Sequence, residues 1–80
     1  MPVVFYLDGW RFHFYSWEGM PREPVHIHVA KAGADAKLWL LPEVRFAYIK
    51  GLSPREQRWV LRAVTERRSQ LEEAWNEFFA

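Results

Sequence analysis

Near its start the chain runs Val3-Val4-Phe5-Tyr6-Leu7, then Asp8-Gly9, then Trp10-Arg11-Phe12-His13-Phe14-Tyr15. Two apolar runs joined by Asp-Gly form a β-hairpin, because both turn residues tolerate the positive φ of a type I′ turn. A two-residue loop also sets the register. Leu7 is predicted to face Trp10, Tyr6 to face Arg11, Phe5 to face Phe12, Val4 to face His13 and Val3 to face Phe14. Side chains alternate between the faces of a strand. Val3, Phe5, Leu7, Trp10, Phe12 and Phe14 therefore make a core face, and Val4, Tyr6, Arg11, His13 and Tyr15 a mixed one.

Whatever follows must extend or cover this sheet. Ser16 to Pro24 carries glycine and two prolines and reads as a loop too long for a tight turn. Val25 to Lys31 reads as a strand, with Val25, Ile27 and Val29 on one face and His26, His28 and Ala30 on the other. Ala32 to Asp35 reads as a turn and Ala36 to Leu41 as a further strand ended by Pro42. Val44 to Lys50 alternates Val44, Phe46 and Tyr48 against Arg45, Ala47 and Ile49, as a fifth strand or an extended connector.

The pattern changes at Ser53. Serine as N-cap, Pro54 at the first helical position and Glu56 three residues after the cap make a capping box. No glycine or proline follows. Val60, Val64, Leu71, Trp75 and Phe78 fall on one arc at about 100° per residue. A single amphipathic helix is expected, with a kink or break open at Arg67 to Ser69, where arginine interrupts the stripe. The fold class is α+β: an antiparallel meander of four or five strands with one long C-terminal helix packed on one face. A single domain over 1–80 is expected, strands in 1–50 and helix in 53–80. Its core should include Phe5, Leu7, Trp10, Phe12, Ile27, Val29, Leu38, Val60, Val64, Leu71 and Trp75.

Half of the 80 residues are hydrophobic and 18% are aromatic, enough for a dense core in so short a chain. Cysteine is absent, which excludes disulfides and thiolate metal sites. A formal net charge of +1 argues against a dedicated nucleic-acid binder. The start lacks the basic and apolar regions of a signal peptide, and no run approaches the roughly 20 apolar residues of a membrane span. A soluble, cytoplasmic chain without membrane contact is expected.

The histidines are the candidate chemistry. If the strand carrying His26 and His28 lies beside the second hairpin strand, then His13, His26 and His28 share the face opposite the core. Such a set could hold zinc, copper, nickel or iron, but the sequence places no evident carboxylate to orient the rings, and no metal or cofactor is assigned. His26 and His28 with Lys31, Lys37 or Arg11 could supply the acid, base and cations of a metal-independent nuclease. No Gly-rich phosphate loop, nucleophile triad or spaced carboxylate pair accompanies them, so an enzyme is not expected. One helix covers only one face of a sheet. The other face, with Val4, Tyr6, Tyr15, the histidines and Trp39, suits a protein interface or a stacking platform for single-stranded RNA, unless the loop Ser16 to Pro24 folds over it. The helix adds a charge asymmetry: Arg55, Arg58, Arg62, Arg67 and Arg68 come early, Glu72, Glu73 and Glu77 late. Two such helices laid antiparallel would match basic to acidic halves in a C2 dimer.

The starting Met-Pro, Pro24-Val25-His26-Ile27-His28-Val29, Ala34 to Pro42 and the ending Leu71-Glu72-Glu73-Ala74-Trp75-Asn76-Glu77-Phe78-Phe79 resemble a small bacterial family known as domain of unknown function 4160. Val25 stands where a second proline often precedes the first histidine, and Arg67 where a histidine is common. The resemblance implies short cytosolic proteins, often encoded beside another small protein in an arrangement similar to toxin–antitoxin pairs. The expected function is a protein-interaction module, a homodimer or the partner of a co-encoded small protein, with RNA binding or ribonuclease action as the alternative. The expected contact residues are His26, His28, His13, Lys31, Lys37 and Trp39.

Overall fold

A computed structural model describes residues 2–18 and 22–80. Met1, and Gly19, Met20 and Pro21 of the loop expected from Ser16 to Pro24, lie outside the described residues. Among the described residues five antiparallel strands, β1 (Val3–Leu7), β2 (Trp10–His13), β3 (His26–Lys31), β4 (Ala34–Trp39) and β5 (Arg45–Lys50), pair in chain order. Two helices follow, α1 (Pro54–Glu66) and α2 (Arg68–Phe78). The fold is α+β. Among the described residues no helix is long and apolar enough to cross a membrane.

The first hairpin forms on Asp8 (φ 50°) and Gly9 (φ 82°), with Leu7 facing Trp10, Tyr6 facing Arg11 and Phe5 facing Phe12. Beyond Phe5 the expected register breaks. A bulge sets Val3 opposite His13, so Val4 turns toward the core and Val3 away from it, the reverse of strict alternation. A second bulge lies opposite Lys37 and Leu38: Leu38 pairs with Phe46 and Lys37 with Tyr48. Phe46 thus packs on the core while Tyr48 points to the other face, although alternation alone would have put both on one side. The second hairpin turns on Ala32 and Gly33 only, and Ala34 and Asp35 already belong to β4.

On the core face Trp10, Phe12, Phe14, Ile27, Val29, Ala36, Leu38 and Leu40 meet Val60, Ala63, Val64, Leu71 and Trp75. Phe5 and Leu7 pack at the margin of this cluster. Ser53 caps α1 as expected: its hydroxyl accepts from the Glu56 amide at 3.1 Å, and the Glu56 carboxylate accepts from the Ser53 amide at 2.9 Å. Such a cap contributes about 1 kcal/mol. The expected single helix is two helices, broken at Arg67 (φ −112°, ψ 17°). The Arg67 guanidinium folds back to donate to the Ala63 carbonyl at 3.1 Å, so the arginine in the apolar stripe spends its charge on the end of α1. The apolar face continues through the break, with Val64 and Leu71 both fully buried.

Ala32 holds φ 48°, a left-handed conformation that disfavours a Cβ. Ala32→Asn makes the favoured Asn-Gly pair and should raise stability by about 1 kcal/mol. Gly33→Ala, whose new Cβ would meet nothing within 4 Å, should lower it by about 1–2 kcal/mol on backbone strain alone. Urea denaturation of the two variants checks this, and an unchanged Gly33→Ala midpoint would rule the turn out.

Candidate functional site

After β2 the chain closes a single 3-10 turn, Ser16–Glu18, which brings Glu18 back beneath Tyr15. The Glu18 amide donates to the Tyr15 carbonyl at 3.1 Å, and the Tyr15 amide donates to Glu18 Oε1 at 3.0 Å. The Glu18 carbonyl accepts from the Glu23 amide at 2.9 Å. With main chain and one carboxylate oxygen held, the other oxygen is aimed at β3. There His26 and His28, two apart on a strand, project from the same face. Glu18 Oε2 lies 2.7 Å from His28 Nε2 and 2.9 Å from His26 Nε2.

All three groups are buried. Burial works to raise the Glu18 carboxyl, but hydrogen bonds from His28 and the Tyr15 amide outweigh it and hold it below its ordinary value, ionised. Burial lowers His28, against the pull of Glu18, so the ring is neutral and donates Nε2–H to the carboxylate. His26 is tethered at its other nitrogen: Nδ1 lies 2.8 Å from the Pro24 carbonyl, which can only accept, so Nδ1 carries the hydrogen. The other nitrogen, Nε2, comes within 2.9 Å of Glu18 Oε2 and has no well-aligned hydrogen-bond partner among the described residues.

Aromatic rings enclose the cluster. His26 lies 4.7 Å from the Trp75 ring and 5.8 Å edge-on from Trp39. His28 stacks on His13 at 5.5 Å and meets the edge of Tyr15 at 4.7 Å. Burial lowers His13 to about 4. Its Nε2 sits 3.3 Å from the Tyr15 hydroxyl and its Nδ1 3.4 Å from Arg11 Nε.

Above His13 and His28 the sheet face opens into a groove of ≈ 440 Å³ walled by Tyr6, Arg11, Tyr15, Lys31, Asp35 and Tyr48. Partial desolvation of its hydroxyl on the groove side, then the nearby Asp35 carboxylate, raises Tyr48 to about 12 although the side chain is exposed.

The structure brings His13, His26 and His28 together on the non-core face. It does not leave them uncovered: the expected open histidine surface is closed by Tyr15 and the 3-10 turn, because the loop supplies a carboxylate that the imidazoles draw inward. Trp39 is half-buried beside His26. Lys37 pairs with Glu23 at 3.0 Å and lies 4.6 Å over the Trp39 ring. Lys31 is apart from this cluster, exposed at the hairpin end of the groove, where it donates to the Asp8 carbonyl at 3.2 Å. Glu18 is the member that sequence reasoning missed. The available cue was an acid in a loop that had to close over three imidazoles. Glu18, His26 and His28 bring one carboxylate oxygen and two ring nitrogens within 4.8 Å of one another, a donor set that can hold a metal ion.

The family model of a domain of unknown function (DUF4160) matches residues 9–76, from the first turn through Glu18, both strand histidines and most of α2, and the chain belongs to that family. No curated protein and no solved structure matches it.

His13 should keep the ring resonances of a neutral imidazole down to pH 5 and titrate at about 4 in NMR. A folded value below the ordinary 6.5 means the unfolded chain binds more protons in this window. The contribution of His13 to stability is therefore present above pH 6.5 and lost as pH falls toward 4. A midpoint near 6.5 would mean that water reaches the ring.

Proposed function

We propose that the chain is a protein-interaction module, paired with a second copy of itself or with a small protein encoded beside it, and that it meets its partner through the groove side of the sheet. The observation that supports this reading is a set of large aromatic side chains held toward solvent: Tyr6 is 68% exposed, Trp17 65% and Tyr48 45%. Trp17 stacks on Tyr15 at 4.4 Å, so it is already oriented and has little rotamer freedom left to lose on contact. Tyrosine, tryptophan and arginine are the side chains in which interfaces concentrate their energy. The buried histidines support the surface from beneath, and the contact itself falls to Tyr6, Trp17, Tyr48 and Arg11.

A second reading has its own support. Arg11 and Lys31 share the groove with Tyr6 and Tyr48, and cations beside exposed tyrosines suit stacked bases of single-stranded RNA. Burial lowers His13 and His28, so neither ring stores an imidazolium proton for the general acid of a ribonuclease near pH 7.

Sedimentation velocity of the purified chain, and capture of partners from its native cells with and without ribonuclease, separate the two. A dimer, or a stoichiometric small protein that survives ribonuclease, is expected. Tyr6→Ala and Trp17→Ala should each weaken that association about tenfold while leaving the thermal melt unchanged. A monomer whose partners vanish with ribonuclease, and whose binding falls steeply with salt, would replace this reading with the RNA one.

A further inference from the structure

We propose that Glu18, His26 and His28 form a binding site for one divalent transition-metal ion of the zinc class, set inside the fold beneath the groove. The inference goes beyond the interaction reading and does not depend on it.

The carrying observation is His26. Its Nδ1–H is committed to the Pro24 carbonyl at 2.8 Å, which turns the lone pair of Nε2 inward. That nitrogen is fully buried and has no hydrogen-bond partner among the described residues, yet it stands 2.9 Å from a carboxylate oxygen. Two lone pairs facing each other away from water repel, and a buried acceptor without a donor is costly. A cation between nitrogen and oxygen settles the contact for both.

The surrounding bonds are those a metal ligand needs. A ligating histidine is commonly oriented by its second nitrogen donating to a backbone carbonyl, as His26 does to Pro24. Glu18 is held by the Tyr15 amide on Oε1, leaving Oε2 to ligate. His28 Nε2, 2.7 Å from that oxygen, completes the set. To ligate, His28 exchanges its Nε2–H for the Nδ1–H tautomer, so its proton stays on the ring and no co-reactant is required. Bonds of about 2.0–2.2 Å at tetrahedral angles place donors about 3.3–3.6 Å apart. The contacts of 2.7 and 2.9 Å must therefore open by about 0.4–0.9 Å, within reach of side-chain rotations.

The donors also select the ion. Two imidazoles and one carboxylate suit zinc and its first-row neighbours, whereas magnesium and calcium take mostly oxygen ligands. Three protein ligands leave a fourth position for water. Bound here, the ion would fasten the 3-10 turn to β3.

The test uses the full chain without a histidine tag, stripped with chelator, then titrated with Zn²⁺ or Co²⁺ by equilibrium dialysis and elemental analysis. One ion per chain is expected. Glu18→Gln, which keeps the shape and removes the charge, should lower affinity about 100-fold or more, and Lys31→Ala, exposed and apart from the cluster, should leave it unchanged. Absence of binding by the folded wild-type chain would overturn the proposal, as would a folded Glu18→Gln variant with full affinity. Should that variant fail to fold, imidazole nitrogen NMR of the wild type decides. Zn²⁺ must move the Nε2 resonances of both His26 and His28; a response from His13 alone, or from no histidine, would overturn the assignment.

Discussion

An ionised carboxylate taken out of water costs several kcal/mol unless its oxygens are met by donors. The Ser16 to Glu18 turn is arranged to meet those of Glu18, through the Tyr15 amide on one oxygen and His28 on the other. Much else follows from this one side chain. It draws the Ser16–Glu18 turn across the non-core face, closes His13, His26 and His28 from solvent, and positions Tyr15 as both a lid on His28 and a base for Trp17. The polar cluster is thus the joint between the sheet and the surface the chain presents. Replacing any one member leaves its neighbours buried and short of a partner, which is costlier than losing a single hydrogen bond.

The groove beside this joint is a product of irregularity. A regular β5 would carry Phe46 and Tyr48 on one face. The bulge opposite Lys37 and Leu38 gives Phe46 to the core and Tyr48 to the groove. The bulge near Val3 does the same at the other margin, burying Val4 and releasing Val3. Bulges re-aim side chains at sheet margins at little cost in pairing. Here they let one thin sheet serve a packed interior on one side and a polar recess on the other.

The parts of this architecture legible in the sequence are those with local causes. Asp8-Gly9 dictates its own hairpin, Ser53, Pro54 and Glu56 dictate the start of α1, and a 3.6-residue period identifies Val60, Val64, Leu71 and Trp75 as core. Arg67, an arginine in that stripe, marks the interruption that the structure resolves as a helix break. The illegible parts have distant causes. A bulge adds one residue with no change in composition, so the faces of Val3, Val4 and Tyr48 could not be read from alternation. The positive φ of Ala32 is imposed by the tight hairpin around it, against the preference of alanine. Periodicity assigned the three histidines to the face away from the core, but what covers that face is a pairing between loop and strand that neither segment encodes alone.

The order of the strands has a consequence in time. Because each strand pairs only with its neighbour in sequence, the sheet can assemble hairpin by hairpin as the chain leaves the ribosome, with short loop closures and little search. The histidine cluster is on a later schedule. The Trp75 ring that packs on His26 belongs to α2, so a pocket begun by Glu18, His26 and His28 is sealed only after the whole sheet and α1 have been made. Until the two helices arrive the nascent sheet holds a half-built site and an uncovered apolar face: α1 covers part of that face with Val60, Ala63 and Val64, and α2 brings Leu71 and the Trp75 ring that closes the pocket.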